Sequence, residues 1–200
     1  MKLHFAIKRR VEKMIIIDAG HGGKDSGALG SGLKEKDLTL QISLTQARLC
    51  EIYGIPHYLT RNSDITTELI DRTTRANEVI HKQKTDSTIL ISNHINSSDG
   101  IAKGFEIIKS YADSTDYADR LLELVKRSDI LAVRKVFSRK NNSGSDYFHM
   151  IRQTSGRSYI LEWGFIKNIT DMNSLRNNMI VAASLPIIAY LRDKTIIKNI

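Results

Sequence analysis

Three short runs constrain this chain more than anything else in it: MIIID (14–18), TILIS (88–92) and SYILEW (158–163). Each is a nearly continuous stretch of β-branched and large apolar residues. Successive side chains of a strand point to opposite faces, so a strand that is apolar throughout must be covered on both sides. The intervening segments supply the cover. Glu35 to Tyr53 places Leu38, Ile42, Leu49 and Ile52 at helical spacing and stops at Gly54, Glu68 to Lys84 reads as a charged amphipathic helix, and 116–128 and Asp171 to Arg192 read as two more. Further strands are expected at Ile55–Thr60, Gly104–Lys109 and 133–137, and the Asn/Ser/Gly cluster at 141–145 reads as a loop. The pattern predicts an α/β fold: a single domain with a mixed, mainly parallel sheet flanked by helices on both faces.

Composition removes several alternatives. At 200 residues and 41% hydrophobic, the chain can bury enough apolar surface to order itself as one domain. Its single cysteine, Cys50, allows no internal disulfide and reads as helix packing. No run approaches the 18 or so apolar residues of a membrane span. The N-terminal apolar stretch Leu3 to Ile7 is broken by His4 and runs into KRR, which is not the pattern of a secretory signal. The net charge of +8 points to an anionic partner, but half of it lies in residues 1–13, with five Lys/Arg against one Glu. That segment reads as a basic N-terminal extension, and 14–200 as the functional domain. In the remainder Lys and Arg are interspersed with Asp and Glu, and only 6% of residues are aromatic, so a nucleic-acid-binding module is disfavoured.

In open sheets of this kind the working residues sit beyond the carboxyl ends of strands. His21 follows MIIIDAG, His94 follows TILISN, and Glu162 interrupts the apolar run of YIL-WGF. A carboxylate inside a doubly covered strand is costly unless something pairs with it. Two histidines at strand ends with one or two carboxylates match the ligand set of a catalytic zinc, with Glu35 at the start of the first helix as the fourth candidate. Taken singly, each has an ordinary reading: a hydrogen-bonded histidine, a glutamate favouring a helix dipole, a glutamate paired with a cation, glycines in a tight turn. Their joint placement favours metal binding. His57, His81 and His149 read as structural or solvated.

The residues also resemble a family. IDAGHGGKDSGALGSGLKEKDLTL is similar to the opening of the zinc-dependent N-acetylmuramoyl-L-alanine amidases of the amidase 3 type. Four further motifs follow in the family's order: LTRNSDITTELIDRTTRANE, with Arg61, Asp64, Leu69, Arg72 and Asn77; ISNHINSS; KGFEIIKS; and YILEWGFIKNITDMNSL, with Glu162, Gly164, Phe165 and Asn168 in register. The resemblance runs from about residue 14 to 192. It implies a sheet of about six strands, Zn²⁺ bound by His21, Glu35 and His94, and Glu162 as the catalytic carboxylate. Glu162 would take a proton from the attacking water and return it to the leaving amine. Asn93, Ile95 and Asn96 beside the second histidine, and Trp163 after the glutamate, are expected to line the substrate groove. The 67 residues between His94 and Glu162 leave no room for an inserted autoinhibitory helix, so constitutive activity is expected.

The function implied is hydrolysis of the amide between N-acetylmuramic acid and L-Ala of peptidoglycan, by an endolysin or autolysin catalytic domain acting on the bacterial wall. Without a signal peptide, holin-dependent release of a phage-type enzyme is the expected route. Peptidoglycan and anionic wall polymers are the expected partners. The alternative is a zinc peptidase of similar fold acting on the stem peptide.

Overall fold

The computed structural model describes residues 14–83, 87–113 and 116–192; the basic segment 1–13 lies outside the described residues. In chain order the elements are β1 (Met14–Ala19), a small hairpin of β2 (Leu29–Gly30) and β3 (Leu33–Lys34), α1 (Glu35–Ile52), β4 (His57–Leu59), α2 (Leu69–Gln83), β5 (Thr88–Asn96) and β6 (Phe105–Lys109). There follow α3 (Asp116–Ser128), β7 (Val133–Phe137), α4 (His149–Arg152), β8 (Arg157–Phe165), α5 (Ile169–Asn177) and α6 (Met179–Leu191). Six strands form one sheet in the order β4-β1-β5-β8-β6-β7. The three apolar runs are its centre, where burial on both faces is greatest. Strands β4, β1, β5 and β8 are mutually parallel, β6 and β7 are parallel to each other, and β6 meets β8 antiparallel. The mixed, mainly parallel α/β sheet expected from the sequence is the fold observed.

The pleat sorts each strand into two cores. Ile15, Ile17, Ile89, Ile91, Tyr159 and Leu161 face the layer of α1, α3 and α6. Ile16, Leu90, Ile108 and Ile160 face the opposite layer with Ala76 and Ile80 of α2 and Met150 and Ile151 of α4. Because β6 and β7 run against β8, their first residues arrive at the same edge as the carboxyl ends of β1, β5 and β8.

Several boundaries differ from expectation. β5 continues four residues past TILIS and β8 two past Trp163, so His94 lies within a strand rather than beyond one. β4 is shorter than Ile55–Thr60, and α4 and the β2–β3 hairpin were not foreseen. The closing helix is two helices: Asn178 breaks it with φ −117° and ψ 27°, where its side-chain amide turns back onto the Ser174 carbonyl. Asparagine competes with helix continuation in this way. α5 begins early because Asn168 caps it, accepting from the amides of Thr170 and Asp171. Among the described residues no helix is long and apolar enough to cross a membrane.

Candidate metal centre

Where β1 ends, the Gly20 amide donates to the Asn93 carbonyl of β5 at 3.0 Å, which draws the glycine-rich loop over the sheet edge. A Cβ on Gly20 would lie 2.4 Å from Cε1 of His94, so only glycine lets the ring sit this close. His21 follows in the left-handed region, with φ 60°, an uncommon conformation for a residue with a side chain. Its Nδ1 lies 2.7 Å from Asp25 Oδ2 and its Nε2 3.1 Å from Glu35 Oε1. Asp25 thereby orients the ring so that Nε2 faces the site, as carboxylates commonly do for ligating histidines.

Glu35 opens α1 and is 4% exposed. Its Oε1 accepts from the Ile95 amide at 2.9 Å and lies 3.0 Å from His94 Nδ1, and its Oε2 accepts from the Ala28 amide at 2.8 Å. Ligand atoms of His21, Glu35 and His94 thus lie within 4.8 Å of one another. Three elements, a loop, a helix start and a strand, converge on one point. Two imidazole nitrogens and one carboxylate oxygen form a donor set suited to zinc with a position left open.

Glu162 stands next to this group. Parallel pairing of β5 and β8 puts it directly beside His94, and antiparallel pairing with β6 puts Glu106 on its other side. Its Oε2 is buried and, among the described residues, has no hydrogen-bond partner. Burial raises its pKa to about 7; the His94 imidazole opposes this, and the carboxylates of Glu35 and Glu106 add to it. In Glu35 burial pushes the other way from the outcome: hydrogen bonds from His21 and His94 outweigh it and hold the carboxyl well below its usual range. Burial likewise opposes charge on His21, but Glu35 and Asp25 overcome it and raise its pKa to about 8. His94 is shifted upward too, against burial, by Glu35 and Glu162.

The expected groove residues divide. Asn93 and Trp163 are fully buried, and Ile95 nearly so. Trp163 Nε1 donates to Asn93 Oδ1 at 3.0 Å, and Asn93 Nδ2 donates to Ser43 Oγ and Gln46 Oε1 of α1. They point away from the site because His94 and Glu162 point toward it, and neighbours in a strand alternate. As groove residues they are corrected to core residues. Asn96 shares the face of His94 and is partly exposed, its Nδ2 donating to Glu106 Oε2 at 3.0 Å. His57 donates to the Ile55 carbonyl, His149 lies against Thr73, and Cys50 is in the core. Sequence reasoning gave no role to Asp18 and Glu106, although both are carboxylates inside apolar strands, the same signal that singled out Glu162. Asp18 accepts from Thr60, Ser92 and Arg72; Glu106 accepts from Arg134 Nε at 2.6 Å.

Residues 15–185 match the family model for N-acetylmuramoyl-L-alanine amidase of the amidase 3 type. The endolysin of Bacillus phage SPP1 is 35% identical over 165 residues, 79% of this chain and 56% of that protein. The sporulation-specific N-acetylmuramoyl-L-alanine amidase of Bacillus subtilis is 33% identical over 175 residues, 84% of this chain and 62% of that protein. The chain therefore spans about three-fifths of the length of these relatives. Among solved structures, the amidase AmiC2 of Nostoc punctiforme superposes with a TM-score of 0.76 at 28% identity, covering 92% of this chain and 98% of that one. The catalytic domain of the amidase CwlV from Paenibacillus polymyxa gives 0.74 at 28% identity, covering 90% and 99%. The chain belongs to the amidase 3 family of N-acetylmuramoyl-L-alanine amidases.

Proposed function

We propose that this chain, with 14–200 as its catalytic domain, is a zinc-dependent amidase that hydrolyses the bond between the lactyl group of N-acetylmuramic acid and L-Ala in peptidoglycan. The observation that carries the reading is a convergent His21–Glu35–His94 group with an unpartnered carboxylate oxygen of Glu162 beside it, in a chain of this family. Those three residues would hold the ion. Zinc bound there supplies Lewis-acid polarisation of a carbonyl and acidification of water.

The rest of the chemistry belongs to the protein's own groups. In the metal-free protein burial raises the Glu162 pKa to about 7, and a carboxyl group standing beside the three converging residues is the one placed to take and give a proton there. The Glu162 carboxylate takes the proton of the attacking water. The C–N bond then breaks, and the same carboxyl group delivers that proton to the departing nitrogen. The products are a lactyl carboxylate and a peptide with a free L-Ala amino terminus. Asn96, partly exposed and donating to Glu106 beside Glu162, is the residue among those expected that is left open to touch substrate.

The named relatives, an endolysin and a sporulation-specific amidase, support action at the bacterial wall. Support for anionic wall polymers as a further partner comes from four exposed cations, Arg134, Lys135, Arg139 and Lys140, along the sheet edge at β7 and just beyond it.

The test is product analysis on purified muropeptides with and without a chelator. New L-Ala amino termini that disappear on chelation and return with zinc are expected. New carboxyl termini within the stem peptide, without free L-Ala, would replace this reading with a stem-peptide peptidase.

A further inference from the structure

Two arginines lie buried under the loop that carries His21. Arg61, 2% exposed, follows β4; Arg72, 3% exposed, is in the first turns of α2. Arg61 Nε donates to the Ala19 carbonyl at 2.9 Å, and its Nη2 to the carbonyls of Gly20 and Lys36, each at 2.9 Å. Arg72 donates from Nη1 to the Ala19 carbonyl and to Asp18 Oδ1, and from Nη2 to the His21 carbonyl. The two guanidinium groups thus take the carbonyls of Ala19, Gly20 and His21 in succession. Three consecutive carbonyls cannot be gathered this way along a strand, where they alternate. They can be gathered here because His21 adopts φ 60° and Gly22 φ 132°.

This bonding sets the two peptide planes that flank His21, and so the direction in which its imidazole leaves the backbone. Among the described residues Arg61 has no carboxylate as a hydrogen-bond partner, and burying such a charge is a poor route to stability alone. Its fork of donors matches a set of fixed carbonyls, which lysine's point charge does not. Charge also gives the argument a sign. Asp18 offsets the charge of Arg72, but that of Arg61 repels a cation held above it, so any help Arg61 gives to metal binding must be geometric.

We infer that Arg61 and Arg72 are positioning residues that hold the His21 loop in its metal-binding conformation before the ion arrives. The inference rests on the zinc reading above. It predicts that removing a guanidinium weakens zinc binding whether the charge is kept, as in Arg61→Lys and Arg72→Lys, or a repelling charge is lost, as in Arg61→Gln.

The experiment measures zinc affinity by chelator competition for wild type, Arg61→Lys, Arg72→Lys and Arg61→Gln. It also records the thermal midpoint of each metal-free protein and the visible spectrum of its cobalt-substituted form. The arginine variants are expected to bind zinc about 10–100-fold more weakly, as when other outer partners of metal ligands are lost, with an altered cobalt spectrum. Thr39→Val covers the case in which an arginine variant fails to fold. It removes only the hydroxyl that donates to the Gly20 carbonyl at 2.7 Å and accepts from Arg61, and a smaller loss of zinc affinity is expected. Wild-type zinc affinity and an unchanged cobalt spectrum in folded variants, whatever their thermal midpoints, would overturn the inference and leave the zinc reading standing. Failure of wild type to bind zinc would overturn the zinc reading itself.

Discussion

The site has two halves that are built differently. His94 and Glu162 stand side by side on β5 and β8, paired in register by the backbone ladder, and their direction follows from the pleat. His21 and Glu35 stand on a glycine-rich loop and a helix start, where no ladder runs. Their placement depends on side chains: Asp25 on the His21 ring, the arginines on the loop carbonyls, and the amides of Ala28 and Ile95 on the Glu35 carboxylate. The strand half is specified by the backbone pairing of two strands. The loop half is specified by side-chain contacts that reach as far as 60 positions along the chain, from Glu35 to Ile95. Replacement of a functional group in the strand half should therefore change chemistry and leave the frame, whereas the loop half should respond to its surroundings.

The largest expected effect tests the strand half. Glu162→Gln keeps the shape of the side chain but cannot take a proton. Hydrolysis of muropeptides should fall by about 10²–10⁴-fold, the range for loss of a positioned general base. Zinc affinity should stay near wild type, because Glu162 is not among the three converging ligands. Retention of full activity would remove Glu162 from the mechanism, and loss of zinc together with activity would make it a ligand.

This division also explains what could be read from the sequence. Burial on both faces forces continuous apolar runs, so β1, the first half of β5 and most of β8 were legible, and a charged residue in or after such a run stands out. His21, His94 and Glu162 were found that way. The second half of β5 was not, because Asn93, His94 and Asn96 look like loop residues until their partners are known, and those lie as far away as Trp163. The alternation that sends Asn93 and Trp163 into the core was available in the sequence, but it needs the strand to be recognised through residue 96. Arg61 and Arg72 were visible as motif residues without a role. Their acceptors are mostly backbone carbonyls, which no sequence displays.

A middle-sized effect probes the loop half through pH. In the metal-free protein His21 has its pKa raised to about 8 from an ordinary 6.5. Its contribution is fully present below about pH 6.5 and is lost as pH rises through about 8. A shift of that size corresponds to about 2 kcal/mol. Glu162 acts in the same direction at lower pH, since its ionisation, displaced upward to about 7, becomes a buried-charge cost as pH rises. The chelated protein should therefore lose thermal stability between pH 6.5 and 8. The zinc-loaded protein should not, because ligating imidazoles are already neutral and metal binding strengthens with deprotonation. A chelated midpoint that rises over this interval would break the contrast.

The smallest effect asks whether the strand half is insulated from its own opposite face. Trp163 lies between Glu162 and Gly164 in β8, yet its ring packs on Phe105, with centroids 4.7 Å apart, and its Nε1 bonds Asn93 under the sheet. Trp163→Phe deletes that donor and leaves Asn93 Oδ1 with a single longer bond of 3.3 Å from Gln46. Loss of one buried hydrogen-bond partner costs about 1–2 kcal/mol, which denaturant or thermal unfolding would register. KM and kcat should stay at their wild-type values, because the pleat puts a full sheet thickness between this ring and substrate. A raised KM with unchanged stability would return Trp163 to the groove and show that β8 twists more at its end than its register implies.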